Sequence, residues 1–85
     1  MTKSIEYNKK IAERLAEIRK NKGVSQVELA RELNLSQSAI TSYETGLRLP
    51  NLLILTAYAD YFDVSTDYIL FRTEDKNWTI SKKEK

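Results

Sequence analysis

The sequence contains no cysteine and no histidine, and it has only two glycines and one proline in 85 residues. Without cysteine there is no disulfide framework and no thiolate metal site. Without histidine the chain lacks the commonest general base and the commonest metal ligand. Asp60, Asp63 and Asp67 lack the glycine and the closing glutamate of an EF-hand calcium loop. We therefore expect a protein that is not an enzyme, that uses no metal ion and no cofactor, and that has no small-molecule substrate.

Long apolar runs are also absent. No run approaches the length of a membrane span, and the first residues show no apolar core of a secretory signal peptide. The sequence therefore predicts a cytoplasmic protein without membrane contact. A chain of 85 residues has room for one small domain. Because loop-forming residues are few and β-branched clusters are short, we expect an all-α fold.

The net charge is only +2, but it is unevenly distributed. Residues 1–50 contain nine Lys or Arg against six Asp or Glu, whereas residues 51–73 contain one against three. A basic half is what a phosphate-binding surface requires. Solvated surfaces also differ this much by chance, so the charge distribution alone does not decide between a nucleic-acid partner and none.

Residues 25–44 read as two short helices joined by a tight polar turn. Ser25 followed by Glu28 forms a capping box, which is typical of a helix start. Asn34 stands where the chain must leave the first helix, and asparagine tolerates the left-handed conformation better than most residues. Ser36 is a good N-cap for the second helix. This arrangement predicts a helix-turn-helix motif.

The second helix of the pair, predicted from Gln37 to Glu44, has an outer face of short, uncharged side chains that donate and accept hydrogen bonds. Glutamine pairs bidentately with adenine, and serine or threonine bonds to several base edges. A face that meets only water usually carries Lys and Glu, although an ordinary polar surface remains the alternative. The predicted base-reading residues are Gln37, Ser38, Thr41 and Ser42.

Five helices account for most of the chain. The first is predicted over residues 5–21 and the fourth from Asn51, its N-cap, to Phe62. A short fifth helix follows Ser65 and ends near Phe71. Residues 1–71 are thus predicted to form the domain, and residues 72–85 a polar C-terminal tail in which Trp78 is a candidate anchor.

The order and spacing of these residues resemble the lambda-repressor-like (Cro/C1-type, XRE) helix-turn-helix family of bacterial and phage transcription regulators. The resemblance covers about residues 8–71, and only Asn34 and Asp63 stand where that family often has glycine. The matching residues are Ile18, Arg19, Gly23, Val24, Ser25, Gln26, Leu29, Ala30, Leu35, Ser36, Ile40, Tyr43, Glu44, Gly46, Pro50, Leu55, Tyr58, Ala59, Phe62, Val64, Ser65, Asp67, Ile69 and Leu70.

The resemblance implies roles for several of these residues. It implies a partly buried ion pair between Arg19 and Glu44 that joins helix one to helix three. It also implies that Gln26, at the exposed N-terminus of helix two, meets a DNA phosphate, which suits the positive end of a helix dipole. Arg14 and Lys22 are weaker candidates for DNA contacts. The expected backbone contacts are Gln26, Ser36, Tyr43, Thr45 and Arg48.

Helix four carries a second apolar stripe beside its core stripe. A helix that is apolar on most sides is deeply buried or packed on two partners. We interpret the second stripe as a homodimer interface, although Trp78 and Ile80 of the same chain or a different protein are alternative covers. The predicted interface residues are Leu47, Leu49, Leu53, Ile54, Ala57 and Tyr61.

These patterns together predict a sequence-specific regulator of transcription that binds double-stranded DNA. The expected form is a repressor that occupies a palindromic operator as a homodimer, and the resemblance implies an origin in a phage or mobile element. The alternative is an antitoxin or adaptor that uses the apolar face of helix four for a toxin or another protein antagonist.

Overall fold

The structure, a computed structural model, describes the backbone of residues 2–76 and the side chains of residues 6–76. This part of the chain contains five helices and no strand, which confirms the predicted all-α, five-helix fold. The helices are α1 (Thr2–Asn21), α2 (Gln26–Leu33), α3 (Gln37–Thr45), α4 (Leu52–Phe62) and α5 (Thr66–Ile69). Within residues 2–76 no helix has the length and apolar character needed to cross a membrane.

Local capping explains where most of these helices begin and end. Four of them begin after an N-cap side chain that accepts the amide hydrogen three residues further on. These caps are Ser25, Ser36, Asn51 and Ser65. Asn34 and Asp63, with φ of 59° and 58°, turn the chain out of α2 and α4 in the left-handed conformation. Each therefore does what glycine would do at a helix C-terminus.

Two predicted boundaries are wrong. Helix α1 begins at Thr2 rather than at residue 5. Helix α5 ends at Ile69, two residues before the predicted end, because Phe71 has a φ of 63° and cannot continue a right-handed helix.

The core lies where α1, α3, α4 and α5 meet, with α2 packed against α3 and α4. Its fully buried side chains come from every helix and are Leu15, Leu29, Ile40, Tyr58 and Ile69. The ring of Tyr58 meets Tyr43 edge-on, with 6.5 Å between ring centroids. This packing fixes the inner face of α3 and leaves its opposite face to solvent.

The hydroxyl of Tyr58 is buried, and no described residue offers it a hydrogen-bond partner. A buried polar group without a partner costs about 1–3 kcal/mol. We therefore expect Tyr58→Phe to raise the free energy of unfolding, measured by urea denaturation at pH 7. Burial also raises the pKa of Tyr58 above its ordinary value of 10.0. The unfolded chain therefore loses the Tyr58 proton at a lower pH than the folded chain does, so the stability of the wild type should fall as the pH rises above 10. The Tyr58→Phe variant has no hydroxyl at this position, so its stability should not show this part of the fall. An unchanged or lower stability of Tyr58→Phe would contradict the expectation.

The residues after α5 return to α1. The guanidinium of Arg14 lies 4.0 Å from the ring centroid of Tyr68 and 3.9 Å from that of Phe71, and it donates to the backbone oxygen of Tyr68 at 2.6 Å. The same side chain pairs with Glu74 at 3.4 Å. Only 10% of the Arg14 side chain is exposed, so these contacts leave little of it free for the DNA contact that was predicted for it.

Part of the predicted tail therefore packs on the domain. The amide of Ser65 donates to the carbonyl oxygen of Lys76 at 2.7 Å, and the amide of Arg72 donates to the carbonyl oxygen of Asp67 at 2.8 Å. The predicted division at residue 71 thus crosses a segment that is bonded to α5. The roles expected for Trp78 and Ile80 lie outside the described residues.

Candidate nucleic-acid interface

The outer face of α3 forms a shallow, open concavity lined only by uncharged polar side chains. Four of its five lining residues are the predicted base readers, and the fifth is the N-cap of α3. Gln37, Ser38 and Thr41 are exposed, while Ser42 is half-buried. A surface of this kind offers hydrogen bonds without fixed charge, which suits the edges of base pairs.

The turn between α2 and α3 sets the direction of this face. Asn34 adopts the left-handed conformation, and the amide of Leu35 donates to the carbonyl oxygen of Ala30 at 2.8 Å. Ser36 then caps α3 through the amide of Ala39 at 3.1 Å. Because Ile40 and Tyr43 are buried on the inner side, α3 is anchored with its polar side outward.

Arg19 and Glu44 form a bidentate ion pair beneath α3. Nε and Nη2 of Arg19 donate to the two carboxylate oxygens of Glu44 at 2.6 Å and 2.8 Å. The side chains are only 10% and 4% exposed. Nη1 of Arg19 also donates to the carbonyl oxygen of Val24 at 2.9 Å, so the pair ties the end of α3 to α1 and to the loop before α2. The hydrogen bonds to Glu44 outweigh the opposing effect of burial and raise the pKa of Arg19.

Gln26 extends this pair to the outer face of α3. Its Nε2 donates to Glu44 Oε1 at 3.0 Å, and its Oε1 accepts a hydrogen bond from Thr41 Oγ1, also at 3.0 Å. A continuous chain of hydrogen bonds therefore runs from the buried Arg19 to the exposed Thr41. The sequence did not predict these contacts of Gln26, because they join residues 15 and 18 positions apart and leave no local pattern.

The predicted backbone contacts lie around the rim of this face, with one exception. Ser36, Thr45 and Arg48 are exposed, and Gln26 is half-buried. The hydroxyl of Thr45 donates to the carbonyl oxygen of Thr41 at 2.9 Å. Tyr43 is the exception, because only 3% of it is exposed. Its ring packs as expected, but little of its surface is free to meet a phosphate.

A second surface, apolar and exposed, adjoins the end of α3. It consists of side chains of the α3–α4 loop and of α4, and we call it the leucine surface: Leu47, Leu49, Leu52, Leu53 and Tyr61. Leu52, which is not among the predicted interface residues, is 81% exposed, and Leu53 is 82% exposed. Ile54 and Ala57 of the predicted interface are half-buried, and Ile54 packs partly against the core.

Comparison with known proteins gives a consistent picture. A family model described as helix-turn-helix matches residues 15–69. In Bacillus subtilis (strain 168), the HTH-type transcriptional regulator ImmR is 34% identical over 73 residues, which are 86% of this chain and 54% of ImmR. The HTH-type transcriptional regulator AnsR is 39% identical over 64 residues, or 75% of this chain and 55% of AnsR.

A third relative from the same organism is the SPbeta prophage-derived uncharacterized HTH-type transcriptional regulator YonR, which is 38% identical over 58 residues, or 68% of this chain and 54% of YonR. The chain thus spans about half the length of these curated relatives. All three are named as transcriptional regulators and none as an enzyme, in agreement with the expectation of a protein without catalytic activity.

Proposed function

This chain belongs to the lambda-repressor-like, XRE-type helix-turn-helix family, and from that membership we propose that it is a cytoplasmic, sequence-specific regulator of transcription that binds duplex DNA. The observation that carries the proposal is the uncharged polar face of α3, which is anchored from below by the Arg19–Glu44 ion pair. A recognition helix needs both an outer face that can bond to bases and a fixed angle to the domain.

In the proposed complex the side chains on this face enter the major groove. Gln37, Ser38, Thr41 and Ser42 contact base edges, and only Gln37 has a single expected partner, adenine, which it meets with both ends of its amide. The open concavity that these residues line leaves room for a base edge.

Residues at the rim fix the position of the domain on the sugar-phosphate backbone. Gln26 and Ser36 lie at the N-termini of α2 and α3, where free amide hydrogens and the helix dipole favour phosphate. Thr45 is the last residue of the recognition helix, Arg48 follows that helix in the chain, and both are exposed. Tyr43, which is only 3% exposed, completes the proposed set, and its hydroxyl is the group proposed to meet a phosphate. Such contacts set register and carry no sequence information of their own.

We further propose that the protein is a repressor that acts by occupying its operator. Repression by occupancy needs only a surface that reads bases and contacts that hold it on the DNA, and the face of α3 and its rim are proposed to supply both. The names of relatives such as the prophage-derived YonR favour an origin in a phage or mobile element. Two copies would bind a palindromic site, because a two-fold axis in the protein dimer matches a two-fold axis in the DNA.

The direct test is selection of bound sequences from a random duplex library at moderate salt. We expect a palindrome with half-sites about 10–11 base pairs apart. Gln37→Ala should then lose its preference at one adenine position, by about 1–3 kcal/mol of discrimination. Thr56→Ala, an exposed α4 position away from this face, is the matched control and should select the same sequence as the wild type. Recovery of no preferred sequence would overturn the proposed function.

A further inference from the structure

The chain of hydrogen bonds that ends at Thr41 fixes the direction of the Thr41 hydroxyl proton. We propose that the Thr41 hydroxyl can therefore only accept a hydrogen bond from a base, and that it recognises the amino group of an adenine or a cytosine. Gln26 is the positioning residue that imposes this direction. The inference rests on the proposed function, since it specifies what one residue of the reading face recognises.

The direction follows from which atoms along the chain can donate. The carboxylate of Glu44 is held by two hydrogen bonds from Arg19 and can only accept. Gln26 must therefore turn its Nε2 toward Glu44, at 3.0 Å. This places Oε1, which has no hydrogen, against the hydroxyl of Thr41. At that contact only the hydroxyl can donate, so the single hydrogen of the Thr41 hydroxyl is engaged in the bond to Oε1 of Gln26.

A hydroxyl group has one hydrogen and two lone pairs. Once the hydrogen is directed at Gln26, Thr41 offers only lone pairs to an incoming base edge. In the major groove the groups that donate are the N6 amino group of adenine and the N4 amino group of cytosine, whereas guanine N7 and O6 and thymine O4 only accept. Thr41 is exposed and lines the concavity of α3 with Gln37, so the free lone pairs of its hydroxyl are open to an incoming base.

The same geometry leaves a second role for Gln26. Its Nε2 carries two hydrogens, and the bond to Glu44 engages one of them. The other can meet a phosphate without loss of the contact with Thr41. The phosphate contact proposed for Gln26 and its control over Thr41 are therefore compatible, and the buried ion pair fixes both.

The test uses selection from a random duplex library with the full chain and three variants. Thr41→Val removes the hydroxyl at nearly constant shape and identifies the position that Thr41 reads. Gln26→Met removes the Oε1 that accepts the hydrogen bond from Thr41, while Glu44 keeps both hydrogen bonds from Arg19. Val27→Met is the matched control, because it introduces the same side chain at an exposed neighbour on α2. Thermal unfolding of each variant shows that it is folded.

We expect the wild type to prefer adenine or cytosine over guanine or thymine at that position by roughly two- to tenfold, the range of one hydrogen bond. Thr41→Val and Gln26→Met should both lose this preference and keep the adenine position of Gln37, and Val27→Met should keep both. Three results would overturn the inference: a wild-type preference for guanine or thymine at that position, an unchanged preference in Gln26→Met, or no position that responds to Thr41→Val. In each case a selected operator would still support the proposed function. If no sequence is selected at all, the proposed function fails and the inference fails with it.

Discussion

Replacement of Glu44 by alanine should lower the free energy of unfolding by about 3–5 kcal/mol, the cost of removing one partner of a buried ion pair. The variant would retain a guanidinium on Arg19 that is only 10% exposed and that has lost both carboxylate acceptors. Small domains have total stabilities near the lower end of about 5–15 kcal/mol, so much of the variant should be unfolded at 37 °C. Urea denaturation followed by circular dichroism measures the difference.

Two controls separate the buried pair from a general effect of charge. Glu32→Ala removes an exposed carboxylate from α2 and should change stability by less than about 0.5 kcal/mol. The double variant Arg19→Met/Glu44→Leu removes both charges together, and we expect it to recover most of the lost stability because no unpaired charge is left inside. A loss in Glu44→Ala no greater than that in Glu32→Ala would show that the pair does not hold α3.

The contrast between local and distant contacts explains how much the sequence could predict. The helix ends at Ser25, Asn34 and Ser36 depend on residues within a few positions, so their types alone indicated the boundaries of α2 and α3. The family pattern further indicated that Arg19 meets Glu44. The bonds from Gln26 to Glu44 and to Thr41 depend on how α2 and α3 pack, and no spacing within either helix announces them.

Arg14 and Leu52 show what the sequence pattern could not predict, since the charged side chain is covered and the apolar one is exposed. Arg14 was a candidate for a DNA contact, but the aromatic rings of Tyr68 in α5 and of Phe71 just after it cover its guanidinium. The sequence did not predict the exposure of Leu52, which is 81% exposed, because a leucine at the start of an apolar helix resembles a core residue. In both cases the decisive neighbours are remote in sequence or missing, which a one-dimensional pattern does not record.

The leucine surface leads to the second large effect. Exposed leucines at adjacent positions of one helix and its preceding loop are costly in water, and a self-complementary contact between two copies removes them. Leu53 is 82% exposed and lies one turn before Ala57 and two turns before Tyr61 on α4, so these three form one row along the helix. A charge at Leu53 would therefore lie within the proposed interface.

We expect the wild type to have twice the 9.9 kDa mass of one chain at micromolar concentration, and Leu53→Glu to have the mass of one chain, by sedimentation equilibrium. The variant should also bind the selected palindrome about 10²–10⁴-fold more weakly, because the second half-site is no longer bound at the effective concentration that the dimer provides. Its reading face is unchanged, so its base preferences should remain.

Val27→Glu makes the same kind of replacement at an exposed apolar residue of α2 and should leave the mass of the dimer unaltered. A wild type that is monomeric at micromolar concentration would contradict the homodimer and would leave two alternative covers for these leucines, namely Trp78 and Ile80 of the same chain or a different protein. The leucine surface would in that case fit the alternative function, in which an antitoxin or adaptor presents it to a different protein. The masses of the wild type and of Leu53→Glu, compared with their affinities for the operator, thus decide between self-association and a heteropartner. Only self-association predicts that the variant that no longer forms a dimer also binds the operator more weakly.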